Sequence, residues 1–117
     1  MASPSNQPSI RVLVIDDNDL SRLMLVRALL VDPEILILVE PTSAVDAHTE
    51  ARIAERLQAA RAGRTTVIMS GSPLVLDRAD EVVLLVEGRV AAVGRHRDLL
   101  ASDRTYRVVV TREEVLA

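Results

Sequence analysis

Lysine is absent from this chain, and all 14 basic residues are arginine. A phosphate-cradling loop of the G-x-x-x-x-G-K-[ST] type needs a lysine ammonium at the terminal phosphates, so no standard loop of that kind lies in these 117 residues. The 4 glycines, Gly63, Gly71, Gly88 and Gly94, are too scattered to build one. Cysteine is absent too, which excludes disulfides and thiolate metal sites, and His48 and His96 match no zinc spacing. Tyr106 is the lone aromatic ring, so stacking-based recognition of single-stranded nucleic acid is disfavoured. No apolar run approaches the roughly 20 residues that span a bilayer, and the opening MASPSNQPS carries no apolar signal region. A net charge of −3 with interspersed signs leaves no polybasic footprint for DNA or an anionic membrane. These absences set the expectation of a soluble, cytosolic chain with no nucleic-acid and no membrane partner.

What is present is aliphatic. Hydrophobic residues make up 49% of the chain, enough for a core of Val, Leu, Ile, Ala and Met in a single domain. Residues 1–9, rich in Ser, Pro, Asn and Gln, read as a disordered leader before one domain over 10–117. IRVLVID (10–16) reads as a strand, and NDLSRLMLVRALL (18–30) as a widely covered helix with Leu20, Leu23, Met24, Arg27 and Leu30 along one side, ended by Pro33. EILILVE (34–40) is a second strand. Asp46 then caps a helix to about Ala62 with an inward stripe of Ile53, Ala54 and Leu57, stopped by Gly63. RTTVIMS (64–70) is a third strand, and Ser72-Pro73 is a cap and first turn ahead of the short helix LVLDRAD. Glu87-Gly88 splits 81–94 into a hairpin, HRDLLASD is a short helix, and TYRVVVTREE is ambiguous between a helical turn and an edge strand.

The alternation predicts an α/β fold, a three-layer sandwich with a mainly parallel sheet of four parallel strands plus a C-terminal hairpin. Ligands of such sheets bind beyond the carboxyl ends of the strands. That rule gathers Asp16, Asp17, Glu40, Thr42, Ser70 and Gly71 at one rim. Carboxylates beside hydroxyls suit a Mg²⁺ or phosphate site, whereas acids at strand ends also serve simply as helix caps and solvated turns. His48, on the exposed side of its helix, reads as a surface residue. Arg95, His96 and Arg97 read either as an anion site or as a solvated face.

Two resemblances rest on these residues. From about Arg22 to Glu114 the chain resembles the C-terminal half of an ABC transporter nucleotide-binding domain, a P-loop NTPase fold. RALLVDPEILILVEPTSAVD is similar to the helix after the family's signature, its Walker B strand and its D-loop. AGRTTVIMSGSP is similar to its switch strand, and ADEVVLLVEGRVAAVGRHRDLLAS to its terminal hairpin and helix. IRVLVIDDNDL (10–20) instead resembles the first strand and acidic pair of response-regulator receiver domains, which are flavodoxin-like. The transporter resemblance implies that Glu40 holds the general-base position, with Thr42, Ser43 and Asp46 retained. It puts Val39 where the family has a metal-ordering Asp and Gly71 where it has a switch His, and it finds no counterpart of the phosphate loop, the adenine-stacking aromatic or the LSGGQ signature. The receiver resemblance implies a metal-binding pair at Asp16 and Asp17, with Ser70 as its hydroxyl residue, but no phosphoacceptor Asp.

Together these departures set the expectation of an engineered, non-catalytic chimeric scaffold, with residues 10–20 receiver-like and 21–117 ABC ATPase-like. It would be no enzyme, a monomer with no partner, and would need no cofactor. The alternatives are a small Mg²⁺- or anion-binding module at the rim, with Asp16, Asp17 and Glu40 as ligands beside Thr42 and Ser70, and an ATP-binding subunit fragment of an ABC transporter. By analogy with the transporter family, the strand at 11–16 is predicted to lie between those at 65–70 and 81–86, with 35–40 outside. Asp16 and Asp17 would then stand about 9 to 10 Å, two strand spacings, from the strand of Glu40. Val14, Ile37, Val67 and Val83 are predicted to be among the most buried residues.

Overall fold

The computed structural model describes residues 12–15, 22–42 and 45–111. They fall into two compact units, one drawn from Met1–Ser43 and Leu57–Met69, the other from Ala44–Arg56 and Ser70–Ala117.

The first unit is a three-stranded parallel sheet of β1 (Val12–Ile15), β2 (Ile35–Val39) and β3 (Thr65–Met69), in the order β1-β2-β3. Val12 is registered with Ile35 and Val14 with Ile37, so β1 neighbours β2 directly. This corrects the expected order, and it explains the packing. When right-handed crossovers advance through a sheet in one direction, their helices fall on the same face, and a reversal is needed to cover both. Accordingly α1 (Arg22–Val31) and α2 (Ala47–Ala60) both cover the face of Leu36 and Leu38. Ala28 and Leu57 complete that core, with Leu25, Leu29 and Ile68 against it.

The opposite row, Val14, Ile37 and Val67 in register, was expected to be the most buried. Ile37 is instead half-buried and Val67 is 42% exposed, while the side chain of Val14 lies outside the described set. The expected pattern assumed helices on both faces, for which the choice of row would not matter. Among the described residues only one face is covered, so neither the three-layer sandwich nor the fourth parallel strand is present. Likewise Val26, Leu30 and Val31 leave α1 exposed on its outer side, and its inward residues are Leu25, Ala28 and Leu29 rather than Arg27 and Leu30.

Turn chemistry places the breaks. Pro33 cannot extend α1, and the chain turns at Asp32 with φ 48°. Gly63, at φ 80°, ends the turn after α2 where an L side chain would be strained.

The second unit holds α3 (Pro73–Leu76), β4 (Val82–Val86), β5 (Arg89–Gly94), α4 (His96–Ser102) and α5 (Arg104–Thr111). β4 and β5 form an antiparallel hairpin whose turn, Glu87-Gly88, has positive φ at both residues, the type I′ requirement. Val82 and Leu84 face a core of Leu76, Leu99, Tyr106 and Val110. The four-residue spacing of Tyr106 and Val110 puts both on one face of α5, which settles the ambiguous segment as helix. The other hairpin face pairs Val83 with Val93 and Leu85 with Val90, and all four are exposed, Leu85 by 64%. Val83 is therefore not core, which corrects the last of the burial expectations.

Candidate functional site

Glu40 follows β2 with φ 47°, a left-handed conformation that is uncommon for a residue with a side chain. It is held there because its N–H donates to the Met69 carbonyl at 2.8 Å, one step beyond the regular β2–β3 ladder. The carboxylate is exposed, whereas Pro41 and Thr42 behind it are buried. Val39 is half-buried, so this position lies at the margin of the core rather than deep within it.

Asp16 and Asp17 lie outside the described residues, as does Ser43. β1 ends at Ile15, registered with Leu38 of β2. β1 and β2 are thus adjacent, one spacing or about 4.8 Å apart rather than the expected two. Among the described residues no three His, Cys, Asp or Glu side chains are grouped to hold a metal ion. Glu40 alone does not make a cation site.

In the second unit the Asp46 carboxylate accepts the Thr49 N–H at 3.2 Å and caps α2. Hydrogen bonds from the Thr49 side chain and then its backbone hold the Asp46 carboxyl below the usual carboxylate range. A depressed folded-state pKa adds stability above the unfolded value of 3.8, and this is lost as pH falls through the folded value. Thermal melts between pH 5 and 2 should therefore fall less steeply for Asp46→Asn, which keeps a capping oxygen but no ionisation. Identical slopes would show that the cap carries no titrating stability.

The half-buried Ser70 accepts the Ser72 N–H through its Oγ at 3.0 Å. Ser72, expected to cap α3 with its side chain, makes no side-chain cap and instead donates its hydroxyl to Glu50 Oε1 at 2.6 Å. His48 is exposed, as its helical phase implied. His96 is not part of a solvated face: it is buried, with Nδ1 2.7 Å from the Tyr106 hydroxyl and the rings edge to face. Burial, and secondarily the Asp77 carboxylate, pushes the Tyr106 phenol up.

No protein-family model matches the chain. Over 85 residues it is 41% identical to an ATP-dependent lipid A-core flippase of Hahella chejuensis, covering 73% of this chain and 14% of the relative. Over 103 residues it is 37% identical to a mitochondrial potassium channel ATP-binding subunit of Xenopus tropicalis, covering 88% of this chain and 15% of the relative. Among solved structures, a bacterial Atm1-family ABC exporter with ATP bound matches with a TM-score of 0.62 and 33% identity, over 70% of this chain and 14% of that one. The chain thus spans about a seventh of the length of the proteins it matches. These similarities indicate a fragment of an ABC exporter nucleotide-binding domain.

Two expectations change with them. A match covering 103 of 117 residues leaves no more than 14 outside it, so it takes in Asp16 to Leu20 and leaves the receiver-derived first strand and engineered origin without support. The expectation of a monomer with no partner and no membrane is overturned, since the matched proteins are by name a flippase, a channel subunit and an exporter. No helix among the described residues is long and apolar enough to cross a membrane.

Proposed function

We propose that this chain belongs to the ABC exporter family and acts as part of an ATP-binding subunit on the cytosolic side of a membrane transporter, without turnover of its own. The observation that carries this reading is the 33% identity, at a TM-score of 0.62, to an ATP-bound exporter. Exposed aliphatic surface supports it. Val67 and Met69 in one unit and Val83, Leu85, Val90 and Val93 in the other form faces of the kind that partners cover.

The absence of turnover follows from the residues at the key positions. Val39 has no side-chain oxygen to order a metal and Gly71 no imidazole, so Glu40 would have to act as a base without either group. The described residues do not fit a complete Mg²⁺ site, so no metal-dependent step is assigned to them.

The test uses two measurements. The purified chain with Mg²⁺ and ATP should release phosphate at the rate of a buffer blank. Mixed with an ABC subunit that carries a phosphate loop, it should tighten binding of a fluorescent ATP analogue relative to that subunit alone. Metal-dependent hydrolysis by the chain alone would overturn the first half of the proposal, and an unchanged nucleotide affinity in the mixture would overturn the second.

A further inference from the structure

We propose that the outer face of the β4–β5 hairpin is a self-association surface, on which a second copy of this chain packs without nucleotide. Val82 and Leu84 turn inward to the core of Leu99, Tyr106 and Val110. Strand alternation therefore puts Val83 and Leu85 on the other side, where they are registered with Val93 and Val90. All four are exposed, Val83 the least at 48% and Leu85 the most at 64%. Together they make an apolar face on the order of a few hundred Å², which soluble chains seldom leave in water without a use.

The charges at the ends of the hairpin say what covers it. β4 is framed by acids, Glu81 before it and Glu87 after it, whereas β5 is framed by bases, Arg89 at its start and Arg95 just past its end. Asp80 adds another acid at the open end of β4. All five are exposed, and among the described residues none makes an ion pair or a side-chain hydrogen bond.

A hairpin with acids along one strand and bases along the other is complementary to itself in one orientation. A two-fold axis running along the strands, in the plane between two copies, lays β4 of each on β5 of the other. Glu81 then faces the partner's Arg95 and Glu87 the partner's Arg89, while Val83 meets the partner's Val93 and Leu85 the partner's Val90. A two-fold axis across the strands would instead lay β4 on β4, setting Glu81 against Glu87 and Arg89 against Arg95. Charge thus selects the first arrangement. Sheets stacked about 10 Å apart interdigitate their aliphatic side chains, and the long Glu and Arg side chains at the ends reach across that gap. Four aliphatic residues per copy fall short of the roughly 800 Å² per partner of a standard interface, so the dimer should be weak, with Kd on the order of 10 to 100 µM.

The test is sedimentation of the intact chain at low salt, without nucleotide or Mg²⁺, from about 5 µM to about 1 mM. It should pass from monomer to dimer over that range, with concentration-dependent amide shifts centred on Val83, Leu85, Val90 and Val93. Leu85→Thr keeps a strand-favouring residue at an exposed position, so its melting temperature at low concentration should be unchanged. It should nonetheless weaken association at least about tenfold, because the two-fold removes the contact twice. Glu87→Arg, which would face the partner's Arg89, should weaken it about threefold, and an equimolar mixture with Arg89→Glu should restore it, since opposite charges then meet across the interface. A monomer up to about 1 mM, shifts centred elsewhere, undiminished association in Leu85→Thr, or stronger association in Glu87→Arg would each overturn the proposal. With no nucleotide or other subunit present, none of these outcomes bears on the proposed role in ATP binding.

Discussion

Leu38→Asp should leave the chain unfolded, whereas Val67→Asp on the adjacent strand should cost less than about 1 kcal/mol. Leu38 has no solvent exposure and packs with Ala28, Leu36 and Leu57, so a carboxylate there would lie in the apolar core without a partner. Val67 stands in the opposite row, 42% exposed, where a carboxylate keeps much of its hydration. Even Leu38→Ala, which adds no charge, should cost about 2 to 5 kcal/mol through lost burial and the cavity left behind, a large share of the ~5 to 15 kcal/mol that stabilises a typical domain. Urea midpoints read the contrast directly. If Val67→Asp proved as damaging as Leu38→Asp, a second helical layer would have to cover that face, and the strand order would be wrong.

That contrast marks where sequence reading succeeded and where it stopped. Elements set by local chemistry were legible: the Asp46 cap, the stop at Pro33, the break at Gly63 and the Glu87-Gly88 turn each depend on residues within a few positions. Strand order was not legible, because β1 beside β2 and β1 beside β3 are both compatible with one α1 crossover. The error in order then became an error in burial, since a one-way progression puts both helices on one sheet face and leaves the row of Ile37 and Val67 uncovered by them. The inward stripe of α2 survived because Ala54 and Leu57 belong to a polar-faced helix, whereas α1 is apolar nearly all round and gives no phase.

Of the candidate site, the strand-end position of Glu40 and the cap at Asp46 could be read directly, but His96 was missed. Its neighbours Arg95 and Arg97 are exposed and made the segment look solvated. A signal did exist: the chain's one phenol, placed on an amphipathic helix, needs a hydrogen-bond partner when buried, and His96 is one of only 2 histidines available to it.

Arg61 gave no sign of its role in the sequence, and its replacement should be the most destabilising change that leaves the apolar core intact. It sits just past α2, and its side chain is 3% exposed. From there Nη1 donates to the Pro33 carbonyl at 2.5 Å, Nη2 to the Thr65 carbonyl at 2.8 Å, and Nε to Thr66 Oγ1 at 3.0 Å. One guanidinium thus joins the loop before β2 to the start of β3. Nη1 also reaches Asp32 Oδ1 at 3.3 Å, but that carboxylate is half exposed and shared with Arg64, so solvent and redundancy discount the ion pair. The carbonyl bonds should therefore outweigh the charge pair. Arg61→Leu, which strands the buried Pro33 carbonyl and the part-buried Thr65 carbonyl, should cost about 3 to 5 kcal/mol, while Asp32→Ala should cost no more than about 1 kcal/mol. Arg61→Lys should recover only part of the loss, because an ammonium cannot span the fork's geometry. Denaturant midpoints for the three variants decide the matter: equal losses in Asp32→Ala and Arg61→Leu would mean that the ion pair, not the carbonyl bonds, holds this corner of the sheet.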